Sequence, residues 1–377
     1  MRTLVEHFAG LEDPRVARSR RHGLLAVVTI ALCAVIGGAE NWVEIEQFGR
    51  AKERWFAGFL DLPGGIPSHD TFGRVFARLD AERFEACFAD WMRAVAEVLP
   101  LEVIALDGKA LRRSGDRRRG RAALHLVSAW ACANRLVLAQ VAVEDKSNEI
   151  TAFPVLLRQL ALKGCLVTID AMGRQTAIAE QVLAQGADYV LALRENQPTL
   201  YEEVQDTFAL ARAGRFAEFA AADWDHWRTV SKGHGRLEIR EHWVLADAAV
   251  LAYLAEATPW PGLRAIGLVE AERRLSDGRV EHEARPYLLS ARLTAPQFAD
   301  AVRSHWGIES RLHWLLDVAF REDESRARVG HSAENFAVLR RLALHLLKQE
   351  ATAPCGIKAK RLKAGWSEDY LLKVLAG

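Results

Sequence analysis

Two short apolar runs, Val103–Leu106 and Leu166–Ile169, each end in an aspartate, Asp107 and Asp170. Both are too short for a helix and rich in β-forming residues, so both predict buried strands. Between them Leu124–Cys132 and Leu136–Val143 alternate around Ala133-Asn134, which predicts a hairpin, and Ala152–Leu162 predicts a helix. A further helix over Gln175–Gln185 and a strand over Tyr189–Leu193 complete the order βββαβαβ. An early antiparallel hairpin followed by alternating α and β makes a mixed sheet, not a doubly wound one. In that sheet the first and fourth strands are parallel neighbours, so the two aspartates can converge where open α/β sheets bind ligands.

This order is the ribonuclease-H-like pattern. The expected architecture is α/β: a mixed five-stranded sheet within residues 96–350, carrying a β-rich insertion over about 205–290. The insertion is read from Leu237–Leu245, Arg264–Arg273 and Val280–Leu289, the last two joined by the turn Ser276-Asp277-Gly278. Residues 1–95 read as an all-helical N-terminal domain. There Trp42, Ile45, Phe48 and Phe56 fall at helical spacing, Leu62–Pro67 breaks the chain, and Ser68 or Asp70 caps a new helix. A Gly/Pro turn before a helix bearing Arg74 and Arg78 fits a DNA-binding helix-turn-helix, with a plain packing domain as the alternative. Residues 351–377 read as a basic C-terminal tail.

Fifty Lys and Arg against 49 Asp and Glu leave a net charge of +1, so any nucleic-acid surface must come from local clusters. The five cysteines lie far apart without a C-x-x-C pair, which points to reduced thiols in a cytoplasmic protein. Arg20-Arg21 before the apolar run Leu24–Ile36 has the look of a secretion signal. Its 13 residues fall short of the roughly 20 needed to span a bilayer, so a buried helix and no membrane association are expected.

Asp107 stands in Ile104-Ala105-Leu106-Asp107-Gly108-Lys109, and Asp170 in Val167-Thr168-Ile169-Asp170-Ala171-Met172-Gly173. Paired carboxylates of this kind suit Mg²⁺ or Mn²⁺, completed by water and substrate phosphate. His305, Glu309, His313 and Asp317 recur every four residues as one slowly drifting polar stripe on a helix. A solvated stripe with i,i+4 pairs explains that spacing as well, and no H-E-x-x-H zinc motif is present. Glu322, Asp323 and Glu324 compete for the role of third carboxylate. Lys109, Arg112, Arg113, Arg117, Arg118, Arg119 and Arg121, opposed by Asp116, form a basic run suited to neutralising phosphate. Lys348, Lys358, Lys360, Arg361 and Lys363 form a second cluster, read as a DNA-contacting tail or a soluble end.

In these residues the chain resembles bacterial insertion-sequence transposases of the DDE type, specifically the H-repeat-associated group. The resemblance runs from Leu11-Glu12-Asp13-Pro14-Arg15 through Ile104–Lys109, Asp145-Lys146-Ser147-Asn148-Glu149, Thr168–Met172 and Glu195-Asn196-Gln197-Pro198. Its most specific stretch is His305-Trp306-x-Ile308-Glu309 through His313-Trp314-x-Leu316-Asp317-Val318-x-Phe320-x-Glu322-Asp323. The resemblance implies that Asp107, Asp170 and Glu309 are the catalytic, metal-holding triad. It also implies DNA contacts by Lys146, Arg194, Asn196, Gln197, His305, Arg311 and His313. Broader relatives carry a Tyr-Arg-Glu-Lys signature around the glutamate; here those positions outside it are Val302, His305 and Leu316, which leaves open which groups grip the DNA end, with His313, Arg311 and Arg303 as the candidates.

The implied activity is DNA transposition: Mg²⁺- or Mn²⁺-dependent cleavage of inverted-repeat ends and strand transfer into target DNA, by a nucleoid-associated homodimer on double-stranded DNA. Two other readings share parts of this sequence: a ribonuclease-H-like nuclease without strand transfer, and a domesticated, inactive DNA-binding protein.

Overall fold

The computed structural model describes residues 4–95, 101–116, 120, 122–143, 149–170, 176–194, 198–214, 216–233 and 236–376. The N-terminal segment is helical: α1 (Leu4–Phe8), α2 (Leu24–Ile36), α3 (Trp42–Ala51), α4 (Glu53–Phe56), α5 (His69–Arg78) and α6 (Ala81–Val95). Local sequence explains the starts. Asn41 accepts the Glu44 N–H at the head of α3, and Ser68 accepts that of Thr71 at the head of α5. The run suspected of being a signal is α2, almost entirely buried. No described helix is long and apolar enough to cross a membrane.

The central elements follow in the expected order: β1 (Val103–Ala110), β2 (His125–Ala131), β3 (Leu136–Val143), α7 (Glu149–Arg158), β4 (Leu166–Ile169), α8 (Thr176–Ala184), β5 (Asp188–Ala192) and α9 (Pro198–Ala213). β1 pairs antiparallel with β2 and parallel with β4. Four more strands, β6 (Trp224–Gly233), β7 (Arg236–Leu245), β8 (Ala265–Arg274) and β9 (Val280–Leu289), form a meander, with α10 (Ala248–Ala257) between β7 and β8.

Here the expectation of a five-stranded sheet with a separate insertion is corrected. Among the described residues all nine strands form one sheet, ordered β3-β2-β1-β4-β5-β9-β8-β7-β6. β9 joins β5 antiparallel through Val190–Ala192 and Tyr287–Leu289, which gives β5 a second partner where an exposed edge would otherwise lie. The pairing is long-range, and no local pattern in β9 announces it.

After β9 the chain is helical again: α11 (Ala295–His305), a π turn at Glu309–His313, α12 (Trp314–Phe320), α13 (Ser332–Gln349), α14 (Ile357–Trp366) and α15 (Glu368–Ala376). The basic tail anticipated from the sequence is therefore a folded helix pair. Lys360 and Arg361 are buried in it, Arg361 donating to the carbonyls of Val35 and Ala39.

Apolar side chains cover both faces of the sheet around β1, β2, β4 and β5. α7, α8, α9 and α10 pack against the face bearing Ile104, Leu106 and Val167. The opposite face, bearing Ala105 and Trp130, packs on α11, α13 and the N-terminal helices, which share one core. α13 ties them together: Phe336 meets Trp42 edge-on at 4.9 Å, and Asn335 donates to the carbonyls of Phe76 and Leu79. Gly267 lets α11 approach the sheet, since a Cβ there would sit 2.6 Å from the Phe298 ring.

Candidate active site at the ends of two parallel strands

β1 and β4 run in register from Val103 with Leu166 to Leu106 with Ile169. Asp107 and Asp170 are the next residues on each strand, so they stand abreast where the β4 pairing stops. Neighbouring strands lie about 4.8 Å apart. Because side chains alternate, Asp107 shares a face with Ala105 and Asp170 with Thr168, and Ala105 pairs with Thr168. Both carboxylates thus belong to the face crossed by α11 and α12.

The segment from His305 to Asp317 crosses these strand ends in order. His305 Nδ1 lies 2.9 Å from Thr168 Oγ1 on β4. His313 Nδ1 lies 3.6 Å from Asp107 Oδ2 on β1, and Asp317 accepts from Lys109 two residues further along β1. Glu309 lies between these anchors in sequence, and its side chain is exposed. An α-helix drifts by about 40° every four residues. The wider π turn at Glu309–His313 offsets that drift, so His305, His313 and Asp317 all reach the sheet. Burial pushes His305 down to about 4, against the opposing pull of Asp170, and His313 down to about 3, with Lys109 and Arg341 adding to it.

The flank beyond Asp107 is closed by charge. Lys109, its side chain 10% exposed, is turned in among Asp317, Glu322 at 3.1 Å and Asp323 at 3.8 Å. Glu322 is itself buried and accepts from Arg341 of α13 at 2.9 Å. Burial raises the Glu322 carboxyl, but Arg341 and Lys109 outweigh it and hold the group at about 2. Lys109, expected on the DNA surface, is turned inward. Glu322, weighed as a third carboxylate, is occupied by two cations. Burial raises Asp317, and Lys109 opposes the rise.

The Asp170 flank is open. Arg194 donates to Asp170 Oδ2 at 2.5 Å from a largely exposed position. Beside it Thr168, Asp170, Arg285, Tyr287, His305 and Trp306 line a pocket, and the Arg285 guanidinium stacks over Trp306 at 5.0 Å. Arg285 and Tyr287 come from β9 and escaped sequence reasoning, because only the β5–β9 pairing brings them here. Arg341 left a clue: a charged residue inside the apolar run of α13.

Among the other expected DNA contacts, Arg112 pairs with Asp323 at 3.2 Å, while Arg113 and Arg311 are exposed. Arg117, Arg118, Arg119, Arg121, Lys146, Asn196 and Gln197 lie outside the described residues. No group of three or more His, Cys, Asp and Glu side chains among the described residues is arranged to hold a metal ion. The donor chemistry of the two aspartates nevertheless suits a hard divalent cation. Asp170 already holds one cationic group, the Arg194 guanidinium.

The geometry so far defines an α/β protein with a strand-end carboxylate site. Comparison with known proteins makes the class specific. The family model described as "Transposase DDE domain" matches residues 99–346, and the model described as "DDE_Tnp_1-associated" matches residues 5–92. The chain belongs to the DDE transposase family. "H repeat-associated putative transposase YhhI" of Escherichia coli (strain K12) is 38% identical over 381 residues, covering 100% of this chain and 98% of that one. "Putative transposase YncI" of Escherichia coli O157:H7 is 36% identical over 378 residues, covering 100% and 95%. A solved piggyBac transposase synaptic complex with hairpin DNA aligns with a TM-score of 0.43 at 8% identity, over 99% of this chain and 77% of that one.

Proposed function

We propose that this protein is a DNA transposase whose catalytic residues are Asp107, Asp170 and Glu309, cutting inverted-repeat ends and joining them to target DNA. One observation carries the assignment of the site. The register aligns Asp107 with Asp170, and the segment anchored at Thr168 by His305 and at Asp107 by His313 carries Glu309 between the anchors. The three carboxylates are the residues that would hold Mg²⁺ or Mn²⁺. Bound there, such ions lower the pKa of an attacking water or 3′-hydroxyl and stabilise the leaving oxygen. The chain's own residues do the rest. His305 and His313, kept neutral by burial, fix the glutamate-bearing segment against both strands without adding charge. Arg194, Arg285 and Arg311 offer cations to phosphate around the carboxylates, and the exposed Arg112 and Arg113 after β1 extend that surface.

The protein acts in this reading on double-stranded DNA as a homodimer in the cytoplasm, with the N-terminal helices contributing to end recognition. A strand-transfer assay with a pre-cut inverted-repeat end and Mg²⁺ tests it. Joined products are expected; cleavage of uncut ends without joining would mean a nuclease, and binding without either would mean an inactive DNA-binding protein. Short terminal inverted repeats flanking the coding sequence are expected on the same reading.

A further inference from the structure

Beside the carboxylates, one strand over, three cations gather that form no ion pair among the described residues, although Glu102 and Asp300 lie near enough to act on the neighbouring Cys132 thiol. The Lys348 ammonium at the end of α13 lies 4.3 Å from the ring centroid of Trp130 and donates to the Arg135 carbonyl at 3.1 Å. Arg135 sits in the β2–β3 turn with φ of 57°, the left-handed region that few side chains adopt. The charges acting on Lys348 are those of Arg135 and Arg311, both positive, and with burial they push it down to about 7. Among the described residues no carboxylate pairs with Lys348, Arg135 or Arg311. Glu102, which acts on the nearby Cys132 thiol as Arg311 does, is engaged by the Asn134 amide at 2.9 Å.

A second observation points to the same place. Trp130 is 1% exposed, and its indole N–H has no hydrogen-bond partner among the described residues. A Cβ on Gly307 would lie 3.9 Å from that nitrogen and 3.9 Å from Arg311 Cδ. The indole N–H and the Arg311 side chain therefore converge beside Gly307, each within ordinary contact distance of the same point. A buried donor without an acceptor and a like-charged cluster are each unfavourable. One oxyanion relieves both, accepting from the indole and neutralising the cations.

We propose that Lys348, Arg135, Arg311 and the Trp130 indole N–H bind a backbone phosphate of DNA. Trp130 pairs with Ala105, two residues before Asp107, and Gly307 lies two residues before Glu309. A strand crossing the carboxylates thus continues onto this site. The inference rests on the transposase reading, which already gives Arg311 to phosphate, and adds Lys348, Arg135 and the Trp130 indole N–H as its partners.

The test uses the full chain silenced by Asp107→Asn, so that binding is read without cleavage. Lys348→Gln should flatten the slope of log affinity against log salt by about 0.9, with equal loss on end and scrambled duplexes. Trp130→Phe keeps an aromatic ring and removes the donor; the core cavity it leaves lowers the melting temperature, so binding is read well below it and should weaken by about two- to tenfold. In a parallel titration without DNA, inorganic phosphate should shift the indole N–H resonance that Trp130→Phe abolishes. An unmoved resonance together with unchanged salt slopes overturns the site. A shifted resonance with unchanged slopes overturns the DNA assignment in favour of a free phosphate ion. If the Lys348→Gln and Trp130→Phe results hold while Asp107→Asn leaves end cleavage intact, the catalytic reading fails and this site stands.

Discussion

The two aspartates stand abreast, yet their surroundings are opposite. Around β1 the site is closed: His313 lies against Asp107, and Lys109, Glu322 and Arg341 run as an ionic chain into α13, the last two fully buried. Around β4 it is open, with Asp170 meeting an exposed arginine and a pocket lined partly by β9. A buried ion pair is weak as a source of net stability but costly to break from one side, so it favours a single arrangement. The closed half therefore fixes the position of the glutamate-bearing segment. The open half leaves Asp170 reachable by a polyanionic substrate.

The largest expected effect tests whether both halves serve one reaction. Asp107→Asn and Asp170→Asn should each abolish Mg²⁺- or Mn²⁺-dependent cleavage while gel-shift affinity for end DNA stays close to wild type. If either variant still cuts, the two aspartates do not share a site.

Next is the closed half's ionic chain. Glu322→Gln leaves Lys109 and Arg341 without their shared buried carboxylate, and should cost about 3–5 kcal/mol in urea unfolding. A loss below about 1 kcal/mol would show that the chain does not fix this half.

A third prediction concerns pH. Glu85 of α6 is buried, accepts the Gln140 N–H at 2.9 Å, and is pushed up to about 8 by burial, which outweighs that bond and Arg341. The folded chain thus keeps a proton that the unfolded chain has released above its ordinary value of 4.5. Stability is full below that value and falls as pH rises through about 8, on the order of 1 kcal/mol per unit. Glu85→Gln should remove this slope, raising the melting temperature at pH 8 and barely changing it at pH 4. A parallel pair of stability curves for the two proteins would refute the assignment.

The smallest effect on stability belongs to the open half. Arg194→Ala should change unfolding free energy by no more than about 0.5 kcal/mol, since its pair with Asp170 is exposed. The same variant should lower the salt slope of DNA binding by about 0.9. A large stability loss with an unchanged slope would make Arg194 part of the scaffold and remove the contrast between the halves.

Much of this was legible from local pattern. The order βββαβαβ, the hairpin at Ala133-Asn134, a helix cap at Ser68 or Asp70 (the structure uses Ser68) and the parallel neighbours β1 and β4 follow from alternation, turn chemistry and helix capping. The strand β6 and helix α10 escaped. Trp224–Gly233 is a largely solvent-facing edge strand whose polar residues leave no apolar alternation to read. Ala248–Ala257 is a short alanine-rich segment inside a β region. The stripe His305, Glu309, His313, Asp317 was visible as spacing, but the π turn that brings its members back to the sheet was not.

What the sequence determined alone is the set of chemical groups and their local frames: two aspartates at strand ends, a glutamate on a polar stripe, and arginines after β1. These depend on interactions within a few residues, which local pattern records. Which charges face inward, which strand covers β5, and which cations surround Asp107 or Trp130 were decided only by tertiary structure. Lys109 and Arg341 lie far apart in sequence, and nothing local distinguishes a lysine bound for solvent from one that meets a buried glutamate. Burial is a property of the whole packed chain, and it is burial that turns a basic residue into a strut or leaves it free to meet phosphate.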